Sequence, residues 1–514
     1  MKPAFLLSLS LAMALPACHP PITKKGDDSQ LPADDTDAVD DTGEPVDPDD
    51  TAPPDQPPVA VVAMPGTARI GQGVTLDGSG SSDPQGYALS AWDWSCDDGT
   101  TAAGETAEVT FAAAGELTCT LQVTSASGLT GSDSGQTLVL DGSAAAWTFM
   151  VFVNGDNNLE DSALGDVNEM EMVGSSAEVN IVVQLDRARG ESSADGNWTG
   201  ARRYLIARDS DTDAVTSTVL EDLGATDSGV PETISDFATW GIESFPAERY
   251  ALVLWDHGWG WYLAADGETK GISEDASSGN DISIARGDLE EALAGVAATL
   301  GRPLDLLGMD ACLMSSWEVH YVSAPYADVF VGSQASEDWD GWPYDTAMAD
   351  LVADPGMDAA ALGEVIARRF YETRDSTQSV VDLAALGDLN AALDALAQAM
   401  IDTGRASDLL DDGASDAQDF EHGWGQDHDI GDFLDHLEGS SLADADVLAA
   451  IEGVREVYAR VVLANYTNGR SYEDATGISI YTPTWGRMDS EYTRGTWADE
   501  TLWDDFIDQA RGGY

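Results

Sequence analysis

From residue 144 onward the chain repeats one pattern: a near-continuous apolar run, a helical stretch, then another apolar run. "WTFMVFVNG" precedes "LEDSALGDVNEMEMVG", "VNIVVQLDR" follows, and "RYALVLWDHGWGW", "PLDLLGMDAC" and "ADVFVGSQAS" continue the series. A strand that is apolar on both faces must be covered on both, and helices between such strands supply the cover. The pattern predicts an α/β three-layer sandwich over residues 144–514, with a mostly parallel sheet and helices on both faces. In open sheets of this kind ligands gather beyond the carboxyl ends of the strands.

Two of those ends carry reactive side chains. His257 closes "YALVLWDHG" and Cys312 closes "PLDLLGMDAC", with the amphipathic "SIARGDLEEALAGVAATLG" between them. A right-handed strand–helix–strand crossover makes the two strands parallel neighbours. Imidazole and thiol then emerge on one edge, an arrangement suited to nucleophilic catalysis. Taken singly, each has an ordinary reading: a cysteine after an apolar strand is commonly a small buried hydrophobe, and His-Gly is commonly a turn. The pair at equivalent places on successive strands is what points to chemistry.

Cys312 is also the cysteine left over from four. "MKPAFLLSLSLAMALPAC" has a lysine, an apolar run of signal-peptide length and a small-residue site ending at Cys18, and the run is too short to span a bilayer. "Leu-Pro-Ala-Cys" resembles a bacterial lipobox, which implies residues 1–17 as a leader and lipidation of Cys18; the plain alternative is a secretory signal. Either way the chain is exported. Residues 18–58 are Asp, Pro and Thr with almost nothing to bury, an extended acidic tether. No Lys or Arg occurs over residues 26–68, so a protease cutting after basic residues would spare its own tether.

Residues 59–141 read as short alternating strands between Gly, Asp and Ser turns, an all-β antiparallel sandwich. The order "LDGSGSSDPQG…WDWSCDDG…VTFAAAGELTCTLQVTSASG" resembles a PKD-type immunoglobulin-like domain, a class of spacer or weak adhesion module. Cys96 and Cys119 fall in two of its strands, and in an oxidising compartment a disulfide between them is expected. The formal charge of −70 excludes nucleic acid and anionic membrane surfaces as partners and favours cationic substrates.

"WTFMVFVNGDNNLE", "YALVLWDHGWGW", "LLGMDACLMSSWEVHY" and "VGSQASEDWDGWPYD", in this order, resemble the clostripain family of cysteine peptidases, a bacterial branch of the caspase-like clan. The 55 residues from His257 to Cys312 are close to the interval of about 50 in caspases. The resemblance implies a caspase-like core, a Cys312/His257 dyad, backbone amides of Gly258 and Cys312 as oxyanion donors, and cleavage after Arg or Lys. A cationic side chain needs a carboxylate in its pocket. Asp310 matches the acidic residue of the family pocket and Asp340 is expected as the second, with Glu337 and Asp338 as substitutes. Asp156 in "GDNNLE" is expected to shape the loop beside the site. Family members often cut themselves between the His and Cys strands, and the solitary Lys270 in "AADGETKGISEDASSGND" is the expected place.

"EHGWGQDHDIGDFLDHLEG" gathers His422, His428 and His436, but its spacing fits no compact zinc motif and resembles a helix-starting block of the same family. Nor does any segment form a recognisable calcium loop, although some relatives depend on calcium; no cofactor is expected. His320, eight residues past Cys312, belongs to packing. The expected partners are polypeptides with a basic residue before the scissile bond and the outer membrane through a lipid anchor. A catalytically silent adhesion or scaffold protein, or a clan relative with Asn or acidic specificity of the legumain type, are the alternatives.

Overall fold

A computed structural model of the chain describes residues 55–140, 142, 144–262, 271–420, 426–468 and 470–512. Two β-layers precede the α/β body. Thr67–Arg69, Thr130–Leu140, Gly115–Ser125, Leu89–Cys96 and Thr101–Ala103 form one, and Gly73–Asp77 pairs with Thr106–Thr110 in the other. Alternation sets their core: along Gly115–Ser125 the side chains of Leu117, Cys119, Leu121 and Val123 point inward at every second position. Trp94 completes that core and donates its indole N–H to the Gly104 carbonyl at 3.1 Å. Cys96 and Cys119 stand opposite each other across an antiparallel pair and are joined as a disulfide.

The body begins with β1 (Ala145–Gly155), α1 (Glu160–Glu171), β2 (Val179–Arg187), β3 (Gly200–Leu205), β4 (Val219–Gly224), α2 (Pro231–Ser244) and β5 (Ala247–Trp255). A short hairpin, Ile272–Asp275 with Asn280–Ile282, leads to α3 (Asp288–Leu300), β6 (Leu304–Asp310), α4 (Trp317–Ser323), β7 (Ala327–Gly332), α5 (Tyr344–Ala353), α6 (Ala359–Thr373) and β8 (Thr377–Asp382). Further helices follow before β9 (Val462–Thr467).

These strands make one sheet in the order β4-β3-β2-β1-β5-β6-β7-β8-β9. The central block from β2 to β7 is parallel throughout. Its outer pairs are antiparallel, with β3 and β8 running against the other strands, so the sheet is mostly parallel, as expected from the sequence, with antiparallel edges. The reason is burial: β4, "VLEDLG", is half-exposed and polar, and an edge strand need not carry the apolar run that identifies a central one.

Period-two alternation divides the sheet between two cores. Phe149, Val151 and Val153 of β1 with Ala251 and Val253 of β5 pack toward α1, α5 and α6. Met150, Phe152, Leu252 and Leu254 face α2 and α3. Each fully buried Val, Leu, Phe or Met side chain here contributes about 1.5–3 kcal/mol, so burial on both faces holds the central strands in place. Among the described residues no helix is long and apolar enough to cross a membrane.

Candidate active site

β5 and β6 are hydrogen-bonded parallel neighbours with Trp255 opposite Asp310, and His257 and Cys312 each lie two residues beyond that pair. The two strand ends touch through backbone. A Cβ on Gly258 would lie 2.3 Å from the Cys312 carbonyl oxygen, so no larger residue fits between histidine and cysteine loops. Both side chains open onto a cavity of about 310 Å³ whose wall also includes Gly258, Asp310, Glu337 and Asp338.

The nucleophile turn is held under strain. Leu313, directly after Cys312, adopts the left-handed region at φ 64°, which costs a non-glycine residue on the order of 1 kcal/mol or more. Hydrogen bonds from the Leu313 amide to the Ala335 carbonyl at 3.1 Å and from the Ser315 amide to the Ser333 carbonyl at 2.8 Å maintain it. Beyond the turn Ser316 caps α4, its hydroxyl accepting from the Val319 amide.

The Cys312 thiol accepts the Glu337 amide N–H at 3.2 Å. Burial pushes the thiol above its usual range, the Glu337 amide opposes that shift and the charge of Asp310 adds to it. His257 donates from Nε2 to the Asn158 Oδ1 at 2.9 Å. Burial pushes its imidazole down, with Glu274 opposing. At neutral pH the resting pair is therefore an uncharged thiol beside an uncharged imidazole. Asp256 accepts the His257 amide at 2.6 Å and the Asn157 Nδ2 at 2.6 Å through Oδ1, which fixes the backbone that carries the histidine.

Carboxyls crowd the cavity floor. Asp310 Oδ2 accepts the Trp342 amide at 3.0 Å and the Tyr344 hydroxyl at 2.8 Å. Burial raises Asp310 to about 6 against those bonds and one from the Glu337 carboxyl. Glu337 is pushed well up by burial and then by Asp310, while its Oε1 accepts from Gln378 Nε2 at 2.9 Å. Asp166, which accepts the Trp255 indole N–H at 2.6 Å, is also pushed well up by burial and by Asp310. Arg374 counters the charge on Asp166 and Asp310. Burial thus favours the protonated form of all three carboxyls, of which Asp310 and Glu337 line the cavity.

Asp340 departs from its expected place. It is exposed and absent from the cavity wall, and its carbonyl accepts Arg374 Nη2 at 2.9 Å. A turn closed by the Gly341 amide on the Asp338 carbonyl at 3.1 Å presents Glu337, Asp338 and Trp339 to the cavity instead.

Asp156 is likewise off the wall. It accepts the Ser277 hydroxyl at 2.8 Å and stands with Asp186 and Asp275, their oxygens within 4.8 Å of one another. Burial raises Asp156 and takes Asp186 to about 7, while Ser228 and Ser278 donate to Asp186 and Asp275. Three carboxylates fall short of the roughly six to eight oxygens calcium takes, and we assign no metal there.

His320 is buried, meets the Phe330 ring edge-on at 4.5 Å and is pushed down by burial to about 3. His428 is buried against the Thr482 hydroxyl at 2.8 Å, whereas His436 lies half-buried beside Asp432. Cys18, Lys270 and His422 lie outside the described residues.

Four participants escaped the sequence reading: Asn158, Tyr344, and the tryptophans 259 and 339 at the cavity mouth. Asn158 belongs to the "GDNNLE" block that singled out Asp156, and adjacency of β1 to β5 brings that loop to His257. Tyr344 gave no signal, because its hydroxyl reaches Asp310 from a helix start 34 residues away.

Comparison with known proteins gives a match over residues 151–509 to a model described as the clostripain family, and over residues 55–139 to one for the PKD domain. Clostripain of Hathewaya histolytica is 26% identical over 229 residues, covering 41% of this chain and 43% of that relative. The match thus spans less than half of the curated relative. A secreted C11 cysteine protease of Bacteroides thetaiotaomicron, solved with an irreversible peptide inhibitor, aligns with a TM-score of 0.52 at 22% identity over 71% of this chain and 99% of its own. An inactive zymogen C11 protease from Parabacteroides distasonis gives 0.51 at 21% identity, with the same coverage. At these identities the likeness to the two structures is one of fold.

Proposed function

The chain belongs to the clostripain family of cysteine peptidases, and from that premise we propose that it is an exported endopeptidase that cleaves after arginine or lysine. The observation that carries this reading is the juxtaposition of Cys312 and His257 on one cavity with the buried Asp310 at its floor. The PKD-type module matched at residues 55–139 acts as a spacer between envelope and enzyme.

In the mechanism His257 takes the Cys312 proton as the peptide binds, and the thiolate attacks the scissile carbonyl carbon. The Gly258 and Cys312 amides receive the oxyanion. The imidazolium returns the proton to the departing amine, leaving a thioester on Cys312. Water, deprotonated by His257, then attacks the thioester, releasing the new carboxyl terminus and restoring the thiol.

The cationic side chain pairs with Asp310, and Glu337 from the neighbouring loop takes the supporting role expected of Asp340. A lipid on Cys18 would tether the enzyme to the outer membrane. A cut between Lys270 and Gly271 would free a terminus beside Asp281, whose Oδ2 already accepts the Gly271 N–H at 3.0 Å; intact-mass measurement of active enzyme showing one unbroken chain would exclude it.

The test is dye release from Arg-, Lys-, Asn- and Asp-linked peptides by the chain lacking its leader, with Cys312→Ala alongside. Cleavage after Arg or Lys, reduced ~10⁴-fold or more in the variant, is the expected result. Cleavage after Asn or Asp would overturn the basic specificity, and no cleavage of any peptide would favour a silent adhesion protein.

A further inference from the structure

Three tryptophans among the described residues are exposed, and two of them, Trp259 and Trp339, lie on the mouth of the same cavity. They arrive there by the same local device. "Trp-Gly-Trp" at 259–261 and "Trp-Asp-Gly-Trp" at 339–342 each place a left-handed glycine, Gly260 at φ 64° and Gly341 at φ 52°, directly before the second indole. The turn sends one indole inward and leaves the other outside: Trp261 is 0% exposed and Trp342 1%, against 39% for Trp259 and 61% for Trp339.

The inward members are firm anchors. Trp261 meets the rings of Tyr481 and Tyr492, each at 4.8 Å, and Trp342 packs on Gly308, where a Cβ would come within 2.7 Å of the indole. The outward indoles are therefore carried on fixed stems, so a ligand that covers them loses little ordering entropy. An indole buries roughly 150–250 Å² on contact, and among the described residues Trp339 has no aromatic or cationic stacking partner that would use this surface within the chain. Both line the cavity onto which Cys312 and His257 open, and Leu159 and Leu313 add to its apolar wall.

We propose that Trp259 and Trp339 form a second recognition element of this peptidase, a subsite for an apolar side chain adjacent to the basic residue of the substrate. The enzyme then reads a basic–apolar pair rather than a basic residue alone. This rests on the peptidase reading above and narrows its substrate class.

The test uses Arg peptides whose flanking residues are glycine, leucine or phenylalanine on either side of the bond. The ratio of kcat/KM for apolar over glycine flanks is expected at ~10 or more for the unmodified enzyme, near 1 in Trp339→Ala and restored in Trp339→Phe. A ratio near 1 in the unmodified enzyme, or one unmoved by Trp339→Ala and Trp259→Ala, overturns the subsite. Failure to cleave even glycine-flanked Arg peptide would instead strike the peptidase reading. Calorimetric titration of the Cys312→Ala chain with the same peptides decides the subsite in that event, equal affinities for leucine and glycine flanks overturning it.

Discussion

In the sandwich Asp97, Asp98, Glu105 and Glu108 stand in solvent, and among the described residues Asp83 is the one carboxylate buried there. In the α/β body Asp186, Asp256 and Asp310 are all buried, and they sit at the carboxyl ends of β2, β5 and β6. One acidic composition is thus spent in two ways. The sandwich keeps its charges hydrated and relies on an apolar core with a disulfide across it. The body desolvates carboxyls, each at a cost to folding, along the sheet edge that carries Cys312 and His257. Perturbed groups gathered at one edge are the pattern that functional sites share, and among the described residues the sandwich shows no such gathering.

Asp310→Asn gives this contrast its largest test. It keeps the shape of the floor and removes the charge proposed to receive a cation, so kcat/KM for Arg peptides should fall ~10³-fold, carried mainly by KM. The unmodified enzyme should lose affinity for the same peptides as pH falls through about 6, where Asp310 takes up a proton. Unchanged kinetics would move cation recognition to Asp338 or another wall residue.

The central strands and the meeting of His257 with Cys312 were legible in the sequence. The apolar runs identified the central strands, and the strand-end rule put His257 beside Cys312 because one helix separates two consecutive parallel strands. What escaped depends on contacts between distant segments. Tyr344 meets Asp310 through a loop whose path no local pattern sets. Asp340 and Glu337 exchange places because the turn over residues 338–341 decides which carboxylate faces inward, and in a chain this acidic the residue type carries no information. The edge strands escaped for the opposite reason: partial exposure frees them from the apolar pattern.

The sandwich half of the contrast is tested by its disulfide. Cys96 and Cys119 close a loop of 23 residues, and Cys96→Ala with Cys119→Ala should cost the sandwich about 3 kcal/mol. Peptide cleavage should stay within about twofold, since no residue of this module lines the cavity. A parallel loss of kcat would show the module to be coupled to catalysis rather than a spacer.

A pH scan of stability distinguishes the halves by sign. Glu169, Glu171 and Asp186 are each raised by burial to about 7 in the folded body. Unfolded, they would titrate near 4. Between about 4 and 7 the folded body therefore holds protons that the unfolded chain has lost, so its stability falls as pH rises across that window and levels off above it. Calorimetry should show the transition of the body dropping by several degrees from pH 5 to pH 8. The sandwich should stay flat over that range and lose stability only as pH falls below about 4, the opposite sense, because hydrogen bonds from Ser79 hold Asp77 below its usual range. High salt screens the repulsion among surface carboxylates but not buried ones, so a body transition that becomes flat in salt would refute the assignment to buried groups.

The smallest effect is expected at Asn158, and it concerns how far the desolvated edge governs the proton chemistry. Its Oδ1 can only accept, so the 2.9 Å contact makes His257 Nε2 the protonated nitrogen and leaves Nδ1 as the base. Asn158 is exposed, and water can replace a lost amide there. Asn158→Ala should accordingly lower kcat only ~10-fold with KM nearly unchanged, the scale seen when a partner that orients a histidine is removed. Asn158→Asp separates orientation from electrostatics. A carboxylate at the same place stabilises the imidazolium, raises the His257 pKa that burial has lowered, and should move the acidic limb of the kcat/KM profile to higher pH. A limb that stays fixed in Asn158→Asp, with kcat lowered as in the alanine variant, would mean that this loop only shapes the cavity and that burial alone sets the proton affinity of His257.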